Sequence, residues 1–430
     1  MSAFLPRRRA ERRGLRLWPV GPVLAVTFAA AIVVAAVVFY AGWDLLGARG
    51  LKAERRLDSQ TLFDLVKLSF GVVAGAGALV ALVVAYRRQR VDEDGALREA
   101  TRLHTERFTT AVAQLGDDSA AVRLGGVHAL AGLADDAPTR GLRQTSIDVL
   151  CAYLRLPYTA QADLPDDDAP ARHAYLALRE VRHTIIRLIR DHLRLAADHP
   201  HSWQGHDFDL TEVVFDGGDL SKAQFSDGTV SFGGAQFSGG TVSFYGATFS
   251  GGTVNFSGAQ FSGTVNFSGA TFSGTVSFGR AAFSGGMVDF YGATFSGGTV
   301  SYSSARFSGS TVSFRDGQFS SGCQVHFIQV QFDGGTVDFT GAQFSGRPLL
   351  TGAVADFRLA RFDGGTVDFS GAQFSAGAAA DFSGTAFAGG TVCFDGANGV
   401  APAGLVPSDR AALPSGVSLP AAWYPGEGTS

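Results

Sequence analysis

Between residues 208 and 227 the chain reads FDLTE VVFDG GDLSK AQFSD, four consecutive five-residue units whose centres are Leu210, Phe215, Leu220 and Phe225. The interval of five persists along the next 160 or so residues. Thirteen times between Phe232 and Phe387 an aromatic residue is followed by a Phe five positions later, from Phe232/Phe237 and Phe244/Phe249 through Tyr302/Phe307 to Phe382/Phe387. The gap to the next pair is usually seven residues, but six after Phe261 and Phe272, eight after Phe319 and Phe374, and thirteen after Phe344. A fixed five alternating with a tolerant seven separates repeated geometry from corners, and makes this half of the chain a solenoid.

Two positions before most of these aromatics stands a small or branched apolar residue, as with Val242 before Phe244, Ala247 before Phe249 and Val254 before Phe256. Residues two apart in an extended segment share a face, so these pairs point inward and the intervening Thr, Ser, Asn and Gln point outward. Gly239-Gly240 and Gly251-Gly252 supply corners without a Cβ clash.

The run 208–227 resembles the pentapeptide-repeat family, whose units carry Ala, then Asp or Asn, then Leu, then two free positions. The resemblance implies a right-handed four-sided β-helix. In the body Phe replaces Leu, the second position is mostly Gln, Thr or Ser, and one to three extra residues follow every second unit. A coil of four faces with two enlarged corners, about 24 residues, accommodates this. About eight coils at roughly 4.8 Å each give a solenoid roughly 40 Å long over 208–396.

Composition agrees with one stacked core. Of the 35 Phe residues, 29 lie between Phe208 and Phe394. A formal net charge of -4 and a pI near 6.1 argue against nucleic acid as a partner.

The amino-terminal part suits a different solvent. After a basic leader, 1–16, residues 17–43 and 68–86 carry no charge and are long enough to cross a bilayer, which predicts a two-helix transmembrane hairpin with lipid as a partner. A cleaved signal peptide is the rival for the first segment, because six arginines from Arg7 to Arg16 precede it; its apolar run is about twice a usual signal core. Arginines at Arg7 to Arg16 and at Arg87, Arg88 and Arg90 flank a mixed-charge loop, 44–67, and place both termini in the cytoplasm of a two-pass plasma-membrane protein. Gly71 and Gly75 form a small-xxx-small pair that would let the second helix pack against the first or against another copy, a homo-oligomer.

Residues 87–197 read as a short all-α cytoplasmic segment. Ser119 is placed to cap a helix carrying Val122, Leu124, Val127, Leu130 and Leu133; a second helix carries Ile147, Leu150, Tyr153 and Leu154. A third, from Arg172 to Ala197, puts Leu178, Val181, Ile185, Leu188, Ile189 and Leu193 on one stripe and Arg182, Arg187, Arg190 and Arg194 elsewhere. The stretch ERFTTAVAQLGDDSAAVRLGGVHALAGLADD is similar to helical regions that precede pentapeptide repeats in bacterial membrane proteins, and SWQGHDFDLTEVVFDGGDLS to the junction in actinobacterial members. That resemblance brings a fold and a location but no activity. The Pro-rich tail, 397–430, reads as mostly disordered, with Leu405, Trp423 and Tyr424 available to cover the last coil.

No catalytic, cofactor-binding or metal site emerges. Cys151, Cys323 and Cys393 are widely spaced and suit a reducing compartment. His199, His201 and His206 with Asp198 and Asp207 are the densest group of metal-ligand types, and lie on the linker 198–207 without a second ligand set. The glycines recur at coil period and form no phosphate loop. Asp289, Asp338, Asp356, Asp368 and Asp381 read as solvated outward residues. Three function classes remain: a membrane-tethered structural or protein-interaction module without catalysis, a DNA-mimicking topoisomerase inhibitor, and an ice- or surface-binding array built on Thr229, Thr241, Thr253, Thr264, Thr275, Thr299 and Thr311. The mimic wants dense acidity, whereas 228–288 holds one charged residue, Arg280. The array wants an extracellular solenoid.

Overall fold

The computed structural model describes residues 20–45, 58–161, 164–165, 168–320, 322–345, 355–375, 380–405, 413 and 415–423. Five helices, α1 (Val20–Leu45), α2 (Ser59–Leu115), α3 (Ala120–Asp135), α4 (Arg140–Leu154) and α5 (Ala169–Arg194), precede a long series of short parallel strands. The chain divides into two compact units, Met1–Thr101 and Arg102–Ser430.

In the first unit the expected two-helix transmembrane hairpin is not what the structure shows. Among the described residues one helix, α2, is long and apolar enough to cross a membrane; its most apolar window has a mean hydropathy of 2.3 and buries none of its residues. Nor does α2 stop at Tyr86, where the apolar run ends. It continues as one helix of 57 residues to Leu115, because its polar half supplies helical pairs of its own, such as Gln89 donating to Glu93 at 3.1 Å and Arg102 to Glu106 at 2.8 Å. The end of an apolar run marks a change of solvent, not a break in the backbone.

The second unit begins with α3, α4 and α5 packed around Val127, Leu130, Leu150, Val181, Ile185 and Ile189, all at most 2% exposed. Thr139 Oγ1 accepts from Leu142 N at 3.3 Å and Asp168 Oδ1 from Ala171 N at 2.8 Å, which starts α4 and α5. Ser119 does occupy the N-cap of α3, but its side chain makes no cap bond; its own amide donates to Asp117 Oδ1 at 2.8 Å. Arg182, which the stripe of α5 places among the outward arginines, is instead 3% exposed, because two backbone carbonyls, Leu154 O and Val214 O, each accept from its guanidinium at 2.7 Å.

The solenoid closes as four-sided coils, about eight of them. Val230, Val254, Val276, Val300 and Val325 pair in successive parallel strands of one face, and Phe225, Phe249, Phe272, Phe295, Phe319, Phe344 and Phe374 in those of another. The two remaining faces belong to a single sheet of 14 described strands. They join because three strands of eight residues, Arg306–Ser313, Gln331–Asp338 and Arg361–Asp368, run straight through the corner with a register shift.

Each coil turns through a short β-turn, as where Ala247 N donates to Phe244 O at 3.0 Å. Its third position adopts positive φ: Gly246 at 61° in one coil, Arg280 at 57° and Leu359 at 59° in others. The Gly251-Gly252 corner is set by approach rather than by the turn, since a Cβ on Gly252 would lie 2.0 Å from Gly228 O in the coil below.

Inside, each coil from Phe232 to Phe374 contributes four aromatics that stack on those of the next, while the first coil uses Leu210 and Leu220 beside Phe215 and Phe225. Phe232 and Phe256 lie 4.6 Å apart at 2°, Phe256 and Phe278 4.8 Å apart at 4°. The stack containing Phe244, Phe267 and Phe290 meets this one edge to face across the centre, with Phe256 and Phe267 at 5.8 Å and 88°. The coil rise therefore sets the stacking distance, and a Phe in each coil matches it. At the far end Leu405 and Trp423 are 2% and 8% exposed; Trp423 packs edge-on to Phe394 and donates from Nε1 to Gly399 O at 3.0 Å, closing the last coil. Tyr424, expected to share in that cover, lies outside the described residues.

Candidate functional site

Two surfaces of the second unit carry ordered polar groups: the junction between helices and first coil, and the outward faces of the solenoid. At the junction, residues 33 to 68 apart in sequence converge on two carboxylates. Asp216, on the first coil and 5% exposed, accepts from Tyr158 at 2.5 Å and Tyr175 at 2.6 Å on one oxygen, and lies 3.2 Å from His183 Nε2 on the other and 3.4 Å from Arg179 Nε. Burial alone would resist its ionisation, but the bonds from His183, Tyr158 and Tyr175 prevail and hold the carboxyl well below the usual range. The same burial, together with the bond to Asp216, pushes Tyr158 far above its ordinary value.

Asp135, at the end of α3, accepts from Trp203 Nε1 and faces His192 Nε2, each at 3.1 Å, while the His192 ring stacks on Trp203 at 4.1 Å. Burial opposes protonation of His192; the bond to Asp135 outweighs it and raises the pKa. Arg190 and Arg155 add ion pairs to Asp219 and Asp209 of the first coil. These groups fasten helices to coil. Each proton or charge is already committed to a neighbour in the fold, so the arrangement reads as a clamp.

The linker group does not assemble. His206 is 6% exposed and its ring nitrogens have no partner, Asp207 Oδ1 accepts from Thr229 N at 2.7 Å, and His199 meets His201 edge-on at 5.4 Å. Asp198 is exposed. Among the described residues no group of three His, Cys, Asp or Glu side chains is placed to hold a metal ion. Cys151 and Cys323 are buried, and burial pushes both thiols up to about 12; Cys393 is half-buried beside Ser370, 3.4 Å away.

On the solenoid the outward residues form columns in strict register. Thr241, Thr264, Met287, Thr311, Thr336, Thr366 and Thr391 succeed one another on one face. On another face Thr229, Thr253 and Thr275 pair in the same way, and Thr299 continues their column beside Val300, the partner of Val276. Two residues along each strand runs a second column, including Ser243, Asn266, Asp289, Ser313, Asp338 and Asp368, whose members cap the turn beyond the strand.

This corrects the reading of the aspartates as merely solvated. Asp289, Asp338, Asp368 and Asp381 each accept from the amide two residues on, at 2.8 to 2.9 Å, in the role that Asn255 and Asn266 fill earlier. Asp356 is 3% exposed and held by Arg358 at 2.7 Å. The sequence signal was present, an Asx or Ser one place before many of the inward aromatics; the missing element was the turn that needs it.

Residues 210–260 and 256–301 match the family model described as pentapeptide repeats, with nine copies. Residues 210–301 of the solenoid are thus pentapeptide repeats. Among solved structures the chain is similar to trypsin-treated QnrB1, described as a plasmid-mediated fluoroquinolone resistance protein, with 19% identity, 43% of this chain and 87% of that one covered, and a TM-score of 0.22. No curated protein matches the sequence.

Proposed function

We propose that this chain is a membrane-tethered recognition module, in which α2 anchors it in the lipid and the solenoid offers a flat, weakly charged face to a protein partner without catalysing a reaction. The observation that carries the reading is the column from Thr241 to Thr391, seven residues in coil register flanked by a column of small polar caps. Such a face is rigid, spans roughly 30 Å, and presents hydroxyl groups at coil spacing, interrupted once by Met287. Support for the tether is that the apolar window of α2 keeps its side chains outward, as lipid contact requires. Gly71 and Gly75 have open space where a Cβ would stand, which suits close approach of another helix, from this chain or a second copy. The arginines Arg87, Arg88 and Arg90 that follow the apolar window of α2 favour a cytoplasmic position for that end of the span.

The DNA-mimic reading draws on the acids of the later coils. Those acids are largely committed: Asp338 and Asp368 cap turns, Asp333 pairs with Arg306 at 2.5 Å, and Asp363 with Arg361 at 3.1 Å. A surface-binding array would use the same Thr columns outside the cell. The test is a photocrosslinking residue at Thr264 in the membrane-embedded protein. A discrete adduct lost on Thr241→Glu plus Thr311→Glu, and kept on Gln260→Glu of a neighbouring face, supports the reading; absence of any adduct from Thr264 and from Thr336 overturns it.

A further inference from the structure

Where α2 ends against α3 and α4, a cavity of about 500 Å³ opens among Val112, Leu115, Val149, Ala152, Leu156 and Leu178. Beside these apolar residues its lining holds Arg123, Arg182 and Tyr153. Neither guanidinium has a carboxylate within 4 Å among the described residues: Arg123 donates to Asp118 O at 2.9 Å and to Tyr153 Oη at 3.4 Å, and Arg182 donates to backbone carbonyls. Arg123 Nε is buried without any partner. Asp117 and Asp118 stand exposed at the rim, Asp117 capping Ser119 N.

Arg182 is engaged by its two carbonyls and by the Tyr158 ring, 4.1 Å away, whereas Arg123 has Asp117 and Asp118 only at the exposed rim and keeps a buried N–H donor, Nε, unused, and its charge cannot be discharged by deprotonation. Tyr153, 8% exposed, uses its oxygen to accept from Arg123 and retains an O–H to donate. The volume lies within the range of small-molecule sites, and an apolar body with a few convergent polar groups is their usual composition. We propose that this cavity binds a small amphipathic carboxylate, its apolar part against Val149, Leu156 and Leu178 and its carboxylate on Arg123 and the Tyr153 hydroxyl. The site sits where α2 meets the helices that hold the first coil, so occupancy would stiffen that joint. Its binding stands whether or not the solenoid faces a protein partner.

The experiment is equilibrium dialysis of 4-phenylbutyrate against the full-length protein in lipid nanodiscs, with empty nanodiscs as the blank and 4-phenylbutyramide as the uncharged counterpart. Saturable binding of the acid, at least about tenfold weaker for the amide and for Arg123→Met, is expected from loss of a charged hydrogen bond. Tyr153→Phe should weaken it severalfold, and Ala152→Phe, which fills the cavity, should abolish it. No saturable binding beyond the blank, equal binding of acid and amide, or full binding by Ala152→Phe would overturn the proposal. A melting curve of each variant separates loss of the site from loss of the fold: if Arg123→Met melts early, Ala152→Phe and the acid-to-amide ratio decide.

Discussion

Replacing Phe261 by Ala should destabilise the solenoid severely, while Thr264→Ala, three residues on, should be almost silent. Phe261 is fully buried and stacked between Phe237 at 4.9 Å and Phe283 at 4.8 Å, with Phe256 and Phe278 tilted against it at 6.4 and 6.2 Å. Truncating a core Phe costs about 3 to 5 kcal/mol through lost transfer energy and the cavity left behind. Two stacked partners add about 0.5 to 1.5 kcal/mol each, which puts this site toward the upper end. Coils above and below cannot collapse into the gap, because their spacing is fixed by backbone pairing on every face. Thr264 pairs with Thr241 on the outer surface and is half-buried, so its truncation should stay within about 1 kcal/mol. Urea unfolding of the unit Arg102–Ser430, tracked by circular dichroism, gives both values. Comparable losses at the two positions would refute the inward and outward assignment.

Asp216→Ala should cost about 3 to 5 kcal/mol in the same unit by stranding buried partners, seen as a lowered urea midpoint, and a wild-type midpoint would remove Asp216 from the clamp. The clamp should also weaken at both ends of the pH scale: Asp216, with its depressed pKa, contributes above the unfolded carboxyl range and loses that contribution as pH falls, whereas His192, with its raised pKa, contributes fully below about 6.5 and loses it as pH rises. His192→Gln should flatten the alkaline limb only, in melting temperatures taken across pH. Arg280→Gly should stabilise by about 1 kcal/mol, since Arg280 is exposed and holds φ at 57°; a loss in the urea midpoint would contradict the turn. With Cys393→Ser to remove the one half-buried thiol among the described cysteines, a cysteine at Ser59 should label with an impermeant maleimide on intact cells and one at Ser238 should not.

The coil was legible because its signal is local and repeated: the fixed five between Phe232 and Phe237 is one face and one turn, and the apolar residue two places earlier names the inward side. The merging of two faces was less so. In the first coils the corner from inward Phe to next inward residue varies, as Phe237 to Val242 against Phe261 to Val265, and unequal corners cannot pair along their backbones. From Phe307 to Val312 onward every corner has the same length, and the strands Arg306–Ser313, Gln331–Asp338 and Arg361–Asp368 run through, while the equal corner from Phe387 to Val392 at the end of the solenoid stays broken. The clamp left no trace in local sequence, because Tyr158, Tyr175 and His183 meet Asp216 across 33 to 58 residues. Arg182 misleads for a related reason: an arginine among apolar residues looks like a surface charge until the carbonyls that receive it are located.

Whether the solenoid is a passive, weakly charged recognition surface is tested most directly by a DNA gyrase supercoiling assay. A mimic works by presenting charge at phosphate-like spacing, and its grip weakens steeply with salt. With Arg102–Ser430 added at micromolar concentration, supercoiling should proceed unchanged at low and high salt alike. Potent inhibition that fades as salt rises would contradict the passive surface and make the acids of the later coils the functional one.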